Sequence, residues 1–131
     1  TMVAHAIDVV ARAGKFARVE RVTCAIDCGL ALHPDNVVAQ TQGCIFDGLA
    51  AALDGNIELR DGKVRQQFFG TYAEFRLDRQ PQIDIHIVPN DNRPGGVGEA
   101  AIPGVAPALC NAIYAATGER IRRLPVRLRD T

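Results

Sequence analysis

Residues 2–10 read MVAHAIDVV and residues 17–27 read ARVERVTCAID, and both runs are rich in the β-branched residues that favour strands. Between them, Arg12, Ala13, Gly14 and Lys15 supply the chemistry of a tight turn. The two runs therefore predict a β-hairpin. Polar and apolar residues alternate imperfectly in the second run, which indicates a strand that is partly covered on both faces.

Two helices are predicted downstream. The first begins at Pro34, where proline suits the first helical position, and runs to Leu53 with Gly55 as its cap. Two glycines interrupt it, each costing on the order of 1 kcal/mol relative to alanine, so we expect another segment to approach its backbone closely. Its apolar positions are Val38, Thr41, Ile45, Leu49 and Leu53, flanked by Val37 and Phe46. The second helix begins near 103–107, ends at Thr117 before Gly118, and has the apolar stripe Leu109, Ala112, Ile113 and Ala116.

Shorter elements complete an α+β reading with a mixed or antiparallel sheet. Residues 57–65 predict a second hairpin whose Asp61-Gly62 pair favours a type I′ turn. Residues 82–88 alternate well and predict a strand, whereas the aromatic stretch 68–79 has no clean period. A loop covers 89–98, and residues 123–126 are expected to form a terminal edge strand. Residues 1–131 are treated as one unit.

The composition excludes some classes of function. The chain has 131 residues, of which 15 are basic and 15 acidic, so it lacks the basic excess of a nucleic-acid-binding protein. One basic cluster lies near the end, and we expect it to be solvated or paired with carboxylates of a neighbouring subunit, with a phosphate site as the weaker alternative. Its members are Arg120, Arg122, Arg123, Arg127 and Arg129. The opening residues enter a strand pattern at once, which suits a cut through a domain.

The cysteines and histidines do not have the sequence spacing that is typical of a metal site. Cys24 and Cys28 lie in a predicted strand, about 13 Å apart at about 3.3 Å per residue, too far to share a zinc ion. Cys44 and Cys110 lie among apolar helix residues, where a free thiol behaves as a small hydrophobe. We therefore expect buried thiols and no protein metal ligands. The chain contains no serine, which excludes a serine nucleophile.

The strongest local signal is RPGGVGEAAIP at residues 93–103. Its glycines allow the backbone to turn tightly and to approach a bound group. Glu99 follows them among apolar neighbours. If those neighbours exclude water, the carboxylate becomes a better proton acceptor and a candidate general base. The alternative is an ordinary turn and helix cap.

A second signal is Gln40 and Gln42 in the glycine-interrupted helix. An amide donates and accepts hydrogen bonds at once, which suits the edge of a heterocycle such as a pterin. The alternative is two ordinary exposed polar positions.

The ordered set of motifs resembles the xanthine dehydrogenase and aldehyde oxidoreductase family. The set consists of CAIDCG at 24–29 with HPD at 33–35, QTQG at 40–43 with GL at 48–49, and GGVGE at 95–99. The ending, with APAL at 106–109 and RRLP at 122–125, looks most like the large (β) subunit of isoquinoline 1-oxidoreductase and related bacterial aldehyde dehydrogenases. The resemblance covers nearly the whole chain.

This resemblance implies a molybdenum hydroxylase that hydroxylates an aldehyde or N-heterocycle with water. It implies a molybdopterin cofactor, of which the cytosine dinucleotide is one form. It also implies electrons that leave through iron–sulfur clusters on a 2Fe-2S small subunit. By position, Glu99 would be the base, Gln40 a cofactor contact, and the Val97-Gly98 backbone would lie beside the metal. The parent subunit is several times longer, so the chain is expected to be the C-terminal fragment of the molybdopterin-binding domain and inactive when isolated.

The competing hypothesis is a binding or assembly module that keeps the fold without chemistry. A fragment of a larger domain exposes surfaces that are normally buried, so it should associate with itself or with the remainder of the large subunit. Substrate identity and localisation, bacterial cytoplasm or periplasm, are left open by the residues.

Overall fold

The computed structural model describes residues 1–12, 14–72 and 76–126. Its first two elements form the predicted hairpin, in which β1 (Met2–Arg12) pairs antiparallel with β2 (Lys15–Asp27). Gly14 has φ 74°, a left-handed conformation that glycine adopts without steric cost at a tight turn. The register shifts twice, after Asp8 and after Val10, and such bulges increase the local twist of the ribbon.

The remaining elements follow in the predicted order. They are α1 (Pro34–Leu53), β3 (Leu59–Arg60), β4 (Lys63–Val64), β5 (Gln82–Ile87) and α2 (Val105–Thr117). β5 lies beside β2 and runs parallel to it, so the three-stranded sheet has the order β1-β2-β5. The sheet is therefore mixed, and together with the two helices it confirms the α+β class.

The β3–β4 hairpin has the predicted turn. Asp61 has φ 51° and Gly62 has φ 73°, and positive φ at both central residues is the signature of type I′. The stretch after it is irregular, as predicted, with single 3-10 turns at Phe69–Thr71 and Leu77–Arg79. Phe75, part of the same prediction, lies outside the described residues.

Helix α1 begins and ends at the predicted residues, but its C-terminal capping residue differs from the prediction. The His33 Nδ1 atom accepts a hydrogen bond from the Asn36 backbone N–H at 3.3 Å and so caps the first turn. At the other end the capping residue is Asp54, and the prediction of Gly55 was wrong. The N–H groups of Asp54 and Gly55 both donate to the Ala50 carbonyl at 2.9 Å, so no left-handed glycine is required.

The buried face of α1 is rotated by about one residue from the predicted one. Val37 is 7% exposed, whereas Val38, which the prediction placed on the stripe, is half-buried. The prediction left out the small residues Cys44 and Gly48, which the helix also buries. The full buried set is Val37, Thr41, Cys44, Ile45, Gly48, Leu49 and Ala52.

The two glycines of α1 differ. A Cβ on Gly48 would lie 2.8 Å from Val105 Cβ and 3.2 Å from the Ile102 carbonyl oxygen, so α2 and the turn before it approach the helix backbone there, as predicted. A Cβ on Gly43 would meet no atom of the described chain within 4 Å, and the expected close approach is absent at that position.

The core lies between the sheet and the two helices. α2 contributes Val105, Leu109 and Ile113, each at most 1% exposed, packed with Val22, Ile45 and Leu49 among others. Ala116 was predicted on the same stripe and is exposed, because it lies at the end of the helix beyond the packed face. Gly118 ends α2 as predicted, with φ 75° and its N–H donating to Tyr114 O.

The predicted terminal edge strand at 123–126 is not formed. These residues make bends, and the Val126 N–H donates to the Ala52 carbonyl of α1 at 2.7 Å rather than to a strand. Val126 is 5% exposed, so a helix end holds this segment. Arg127 and Arg129 lie outside the described residues. No helix within the described ranges is long and apolar enough to cross a bilayer.

His5 faces the helices from β1, with its Nε2 atom buried and without a hydrogen-bond partner in the described structure. Its imidazole packs on Gly104, where a Cβ would lie 2.6 Å from Nδ1. Burial lowers the pKa of His5 below its ordinary value of 6.5, because the charged imidazolium is desolvated.

We therefore expect the free energy of unfolding to be greatest above about pH 6.5 and to fall as the pH drops below that value, because the unfolded chain takes up the proton first. Urea denaturation between pH 4.5 and 7.5 measures this, and His5→Gln should remove this component. His86→Gln, at an exposed position, is the control and should keep it. Parallel pH curves for wild type and His5→Gln would contradict the assignment.

Candidate functional site

Three segments from two distant parts of the chain meet around one cavity of about 590 Å³. They are the loop that leaves β2, the first turns of α1 and the glycine-rich loop before α2. The predicted residues Gln40, Val97 and Gly98 all line this cavity. The other lining residues are Cys28, Leu30, Ala31, Leu32, His33, Asn36, Val37, Ala39, Pro94 and Gly95.

The loop leaving β2 is fixed by a carboxylate. Asp27 Oδ1 accepts from the Gly29 N–H at 3.0 Å, and both Asp27 oxygens accept from Asn90 Nδ2 at 3.0 Å. Gly29 has φ 71°, and a Cβ there would lie 2.3 Å from the Arg93 carbonyl oxygen. Only glycine can occupy this position without displacing the opposite loop, so the two loops have one relative placement.

The glycine-rich loop is held at several backbone atoms. The Gly95 N–H donates to Cys28 O at 2.7 Å, and Thr1 Oγ1 donates to Gly96 O at 2.6 Å. The Gly98 carbonyl accepts from two side chains of α1, Gln40 Nε2 at 2.7 Å and Cys44 Sγ at 3.1 Å. The structure therefore brings Gln40 and Gly98, 58 residues apart, into direct contact.

Glu99 lies where this loop turns toward α2. Its carbonyl accepts from the Ile102 N–H at 3.1 Å, and Ala101 beside it is 1% exposed. The Glu99 side chain itself is exposed, and Glu99 is not among the residues that line the cavity. The condition that its apolar sequence neighbours exclude water from Glu99 is therefore not met within the described chain, because the turn directs Ala101 inward and leaves Glu99 outside.

Other sequence candidates stay apart from the cavity. Gln42 is exposed and does not line it, since residues two apart on a helix point in different directions. All four cysteines are free thiols, and Cys24, Cys28 and Cys44 are buried as expected, while Cys110 is half-buried. Burial, together with a smaller effect of the neighbouring Cys44, raises the pKa of Cys24 to about 11.

The described residues contain no group of three or more His, Cys, Asp or Glu side chains that could hold a metal ion. They do offer a cavity of ligand size beside an amide, since Gln40 Nε2 is engaged by Gly98 while its Oε1 has no partner within the described chain. The residues present therefore fit a group held by shape and hydrogen bonds, and the metal of such a group would not take its ligands from these side chains.

Sequence reasoning missed three residues of the site. Cys44 was interpreted only as a small hydrophobe, although its place four residues after Gln40 puts both on one helix face. The Asp27–Asn90 pair joins positions 63 residues apart, and no local pattern predicts such a contact.

Comparisons with known proteins show similarity to parts of several oxidoreductases and dehydrogenases. No family model matches the chain. It is 37% identical over 109 residues to the β subunit of isoquinoline 1-oxidoreductase from Brevundimonas diminuta, and 36% identical over 111 residues to a protein from Gluconacetobacter polyoxogenes named membrane-bound aldehyde dehydrogenase (pyrroloquinoline-quinone). These matches cover 83% and 85% of this chain and 14% of each relative. The molybdenum-binding subunit of an aldehyde oxidoreductase from Escherichia coli is 30% identical over 98% of this chain and 19% of the relative.

Solved structures give the same fold. The aldehyde oxidoreductase from Desulfovibrio gigas superposes with a TM-score of 0.69 at 28% identity, over 86% of this chain and 13% of that one. Quinoline 2-oxidoreductase from Pseudomonas putida superposes with a TM-score of 0.73 at 22% identity, over 82% of this chain and 15% of that one. The chain thus spans about one seventh of the length of these relatives.

Proposed function

We propose that residues 1–131 belong to the molybdenum hydroxylase family and form the C-terminal part of a molybdopterin-binding domain, because they are similar to one segment of the relatives named above. The observation that supports this most is that residues from three of the motifs line one cavity, namely Cys28, Gln40, Gly95, Val97 and Gly98. When bound, the cofactor would supply a metal centre that takes two electrons from the substrate while water provides the oxygen.

The residues of this chain have separate tasks in the proposal. The Gln40 Oε1 atom would accept a hydrogen bond from an N–H of the cofactor, because its Nε2 is already used by Gly98. The Val97-Gly98 backbone would form the wall beside the metal, where the absence of a side chain on Gly98 allows close approach. Glu99 would take the proton from the attacking water-derived oxygen, once the surrounding subunit excludes solvent from it.

The whole enzyme would contain more than this chain. We propose that the remainder of the large subunit covers the exposed side of the glycine-rich loop, and that a 2Fe-2S small subunit receives the electrons. The names of the relatives support an aldehyde or an N-heterocycle as the substrate. A second function is an assembly module without chemistry, and the exposure of Glu99 together with Phe68 (73% exposed) and Phe69 (89% exposed) favours it for the isolated chain.

A native-state mass measurement combined with molybdenum analysis on the same purified material tests the proposal. Molybdenum in a species much heavier than 14.1 kDa would support a working part of a hydroxylase. A metal-free monomer or self-dimer that gains no molybdenum when produced with the rest of its subunit would refute cofactor binding and leave the assembly module.

A further inference from the structure

We propose that Cys44 is a positioning residue: its thiol, with the Gln40 amide, holds the Gly98 carbonyl and thereby sets the direction of the Gly98–Glu99 peptide. The effect of Cys44 on turnover rests on the proposed function, whereas the restraint of the Gly98 carbonyl by Cys44 and Gln40 does not. Cys44 does not itself line the cavity, and its contact with the cavity wall is the Gly98 carbonyl, so it would act through Gly98.

Two side chains of α1 donate to the Gly98 carbonyl oxygen. Cys44 Sγ lies 3.1 Å and Gln40 Nε2 lies 2.7 Å from the same carbonyl oxygen, and the two side chains are one helical turn apart on α1. A trans peptide is planar, so a carbonyl that points toward α1 obliges the N–H of the next residue, Glu99, to point away from it. Two donors on one oxygen thus fix the orientation of the peptide from which the Glu99 side chain departs.

The glycine-rich loop has little steric restraint at Gly96 and Gly98. Three of the four residues at 95–98 are glycines, which have the largest choice of backbone conformations, and a Cβ at Gly96 or Gly98 would contact nothing within 4 Å. Packing therefore does not restrain the backbone at Gly96 and Gly98. The conformation of the loop there depends on its hydrogen bonds. Thr1 holds Gly96 and Cys28 holds Gly95, which leaves Gly98 to α1.

The two donors to the Gly98 carbonyl, Gln40 and Cys44, differ in their exposure to water. Gln40 is exposed, so water competes for its amide, and the same amide faces the cavity. Cys44 is 2% exposed, so its thiol, although a weak donor, has no competing solvent. If Gln40 turns toward a bound group, Cys44 is the donor that remains on Gly98.

Cys44→Ala and Cys44→Ser in the 131-residue chain test the hold by amide hydrogen exchange, read peptide by peptide. We expect exchange in peptides covering 95–102 to be about 3- to 10-fold faster in Cys44→Ala, with peptides of β1 and β2 unchanged, and largely restored in Cys44→Ser, which keeps a donor. Cys110→Ala, which removes a half-buried thiol of α2, is the matched control and should leave 95–102 unchanged. Unchanged exchange at 95–102, or an equal increase in every peptide, would overturn the proposal.

A second measurement connects the hold to turnover. In the enzyme that contains this segment, Cys44→Ala should lower kcat about 3- to 10-fold at equal molybdenum content with KM nearly unchanged, and Cys44→Ser should recover most of it. Faster loop exchange with unchanged kcat would show that Cys44 holds Gly98 but would refute its role in positioning Glu99 for turnover. Slower turnover with unchanged exchange would refute the hold and leave the proposed function standing.

Discussion

Glu99→Gln should lower the turnover of the assembled enzyme by about 10²- to 10⁴-fold, the range that a positioned general base contributes. Glutamine has nearly the same shape and can still donate and accept hydrogen bonds, but it does not take up a proton at neutral pH. The loss should therefore fall on kcat, with the molybdenum content of the purified enzyme unchanged. Dye-coupled oxidation of an aldehyde or N-heterocycle, normalised to molybdenum, measures it.

The control for Glu99→Gln is Glu20→Gln, which changes an exposed glutamate of β2 that does not line the cavity. It should retain full turnover. If Glu99→Gln also retains full turnover at full molybdenum content, Glu99 is not the base, and the assembly-module function becomes the better account of this chain.

Gly48→Ala should destabilise the folded chain, whereas Gly43→Ala should stabilise it, although both exchanges are chemically identical and lie in one helix. Alanine gains about 1 kcal/mol over glycine in a helix interior. At Gly43 nothing opposes that gain, because a Cβ there meets no atom within 4 Å. At Gly48 the Cβ would lie 2.8 Å from both Val105 Cβ and Val105 Cγ2, and overpacking of this kind costs about 1–3 kcal/mol.

We expect the strain at Gly48 to exceed the gain in helix propensity, for a net loss on the order of 1–2 kcal/mol. Val105 is 0% exposed and begins α2, so it cannot move without displacing the core. Thermal or urea unfolding of both variants beside the wild type gives the comparison. Two variants that shift stability in the same direction would show that α1 and α2 do not have the close contact described.

Local residues predicted the local elements of this fold. Pro34 marked the start of α1, Asp61-Gly62 fixed a type I′ turn, and Gly118 ended α2 in the left-handed conformation. In each case the residue restricts its own backbone conformation, so the residue type at that position is enough to predict the turn or the helix end. The parallel pairing of β2 with β5 was not predicted, because the pairing depends on residues about 60 positions apart, such as Arg21 and Gln82.

The site was predictable in its members but not in its contacts. The glycine-rich loop, Gln40 and Glu99 could each be named from sequence, and the structure places Gln40, Val97 and Gly98 on one cavity. The solvent exposure of Glu99 could not be inferred from its apolar neighbours, since a turn sends successive side chains in different directions. The hydrogen bond from the Cys44 thiol could not be predicted for another reason. A cysteine in an apolar stretch of sequence looks the same whether or not its thiol donates a hydrogen bond.

The parallel pair β2–β5 also orders the assembly of the molecule in time. The β1–β2 ribbon joins neighbours in sequence, so its loop closes at small entropic cost and it can form early. β5 must instead be brought back across α1 and the β3–β4 hairpin before it pairs with β2. The loop at 89–98 follows β5 directly and meets the end of β2 through Asp27 and Asn90. We therefore expect the cavity to be complete only after this long-range pairing has formed.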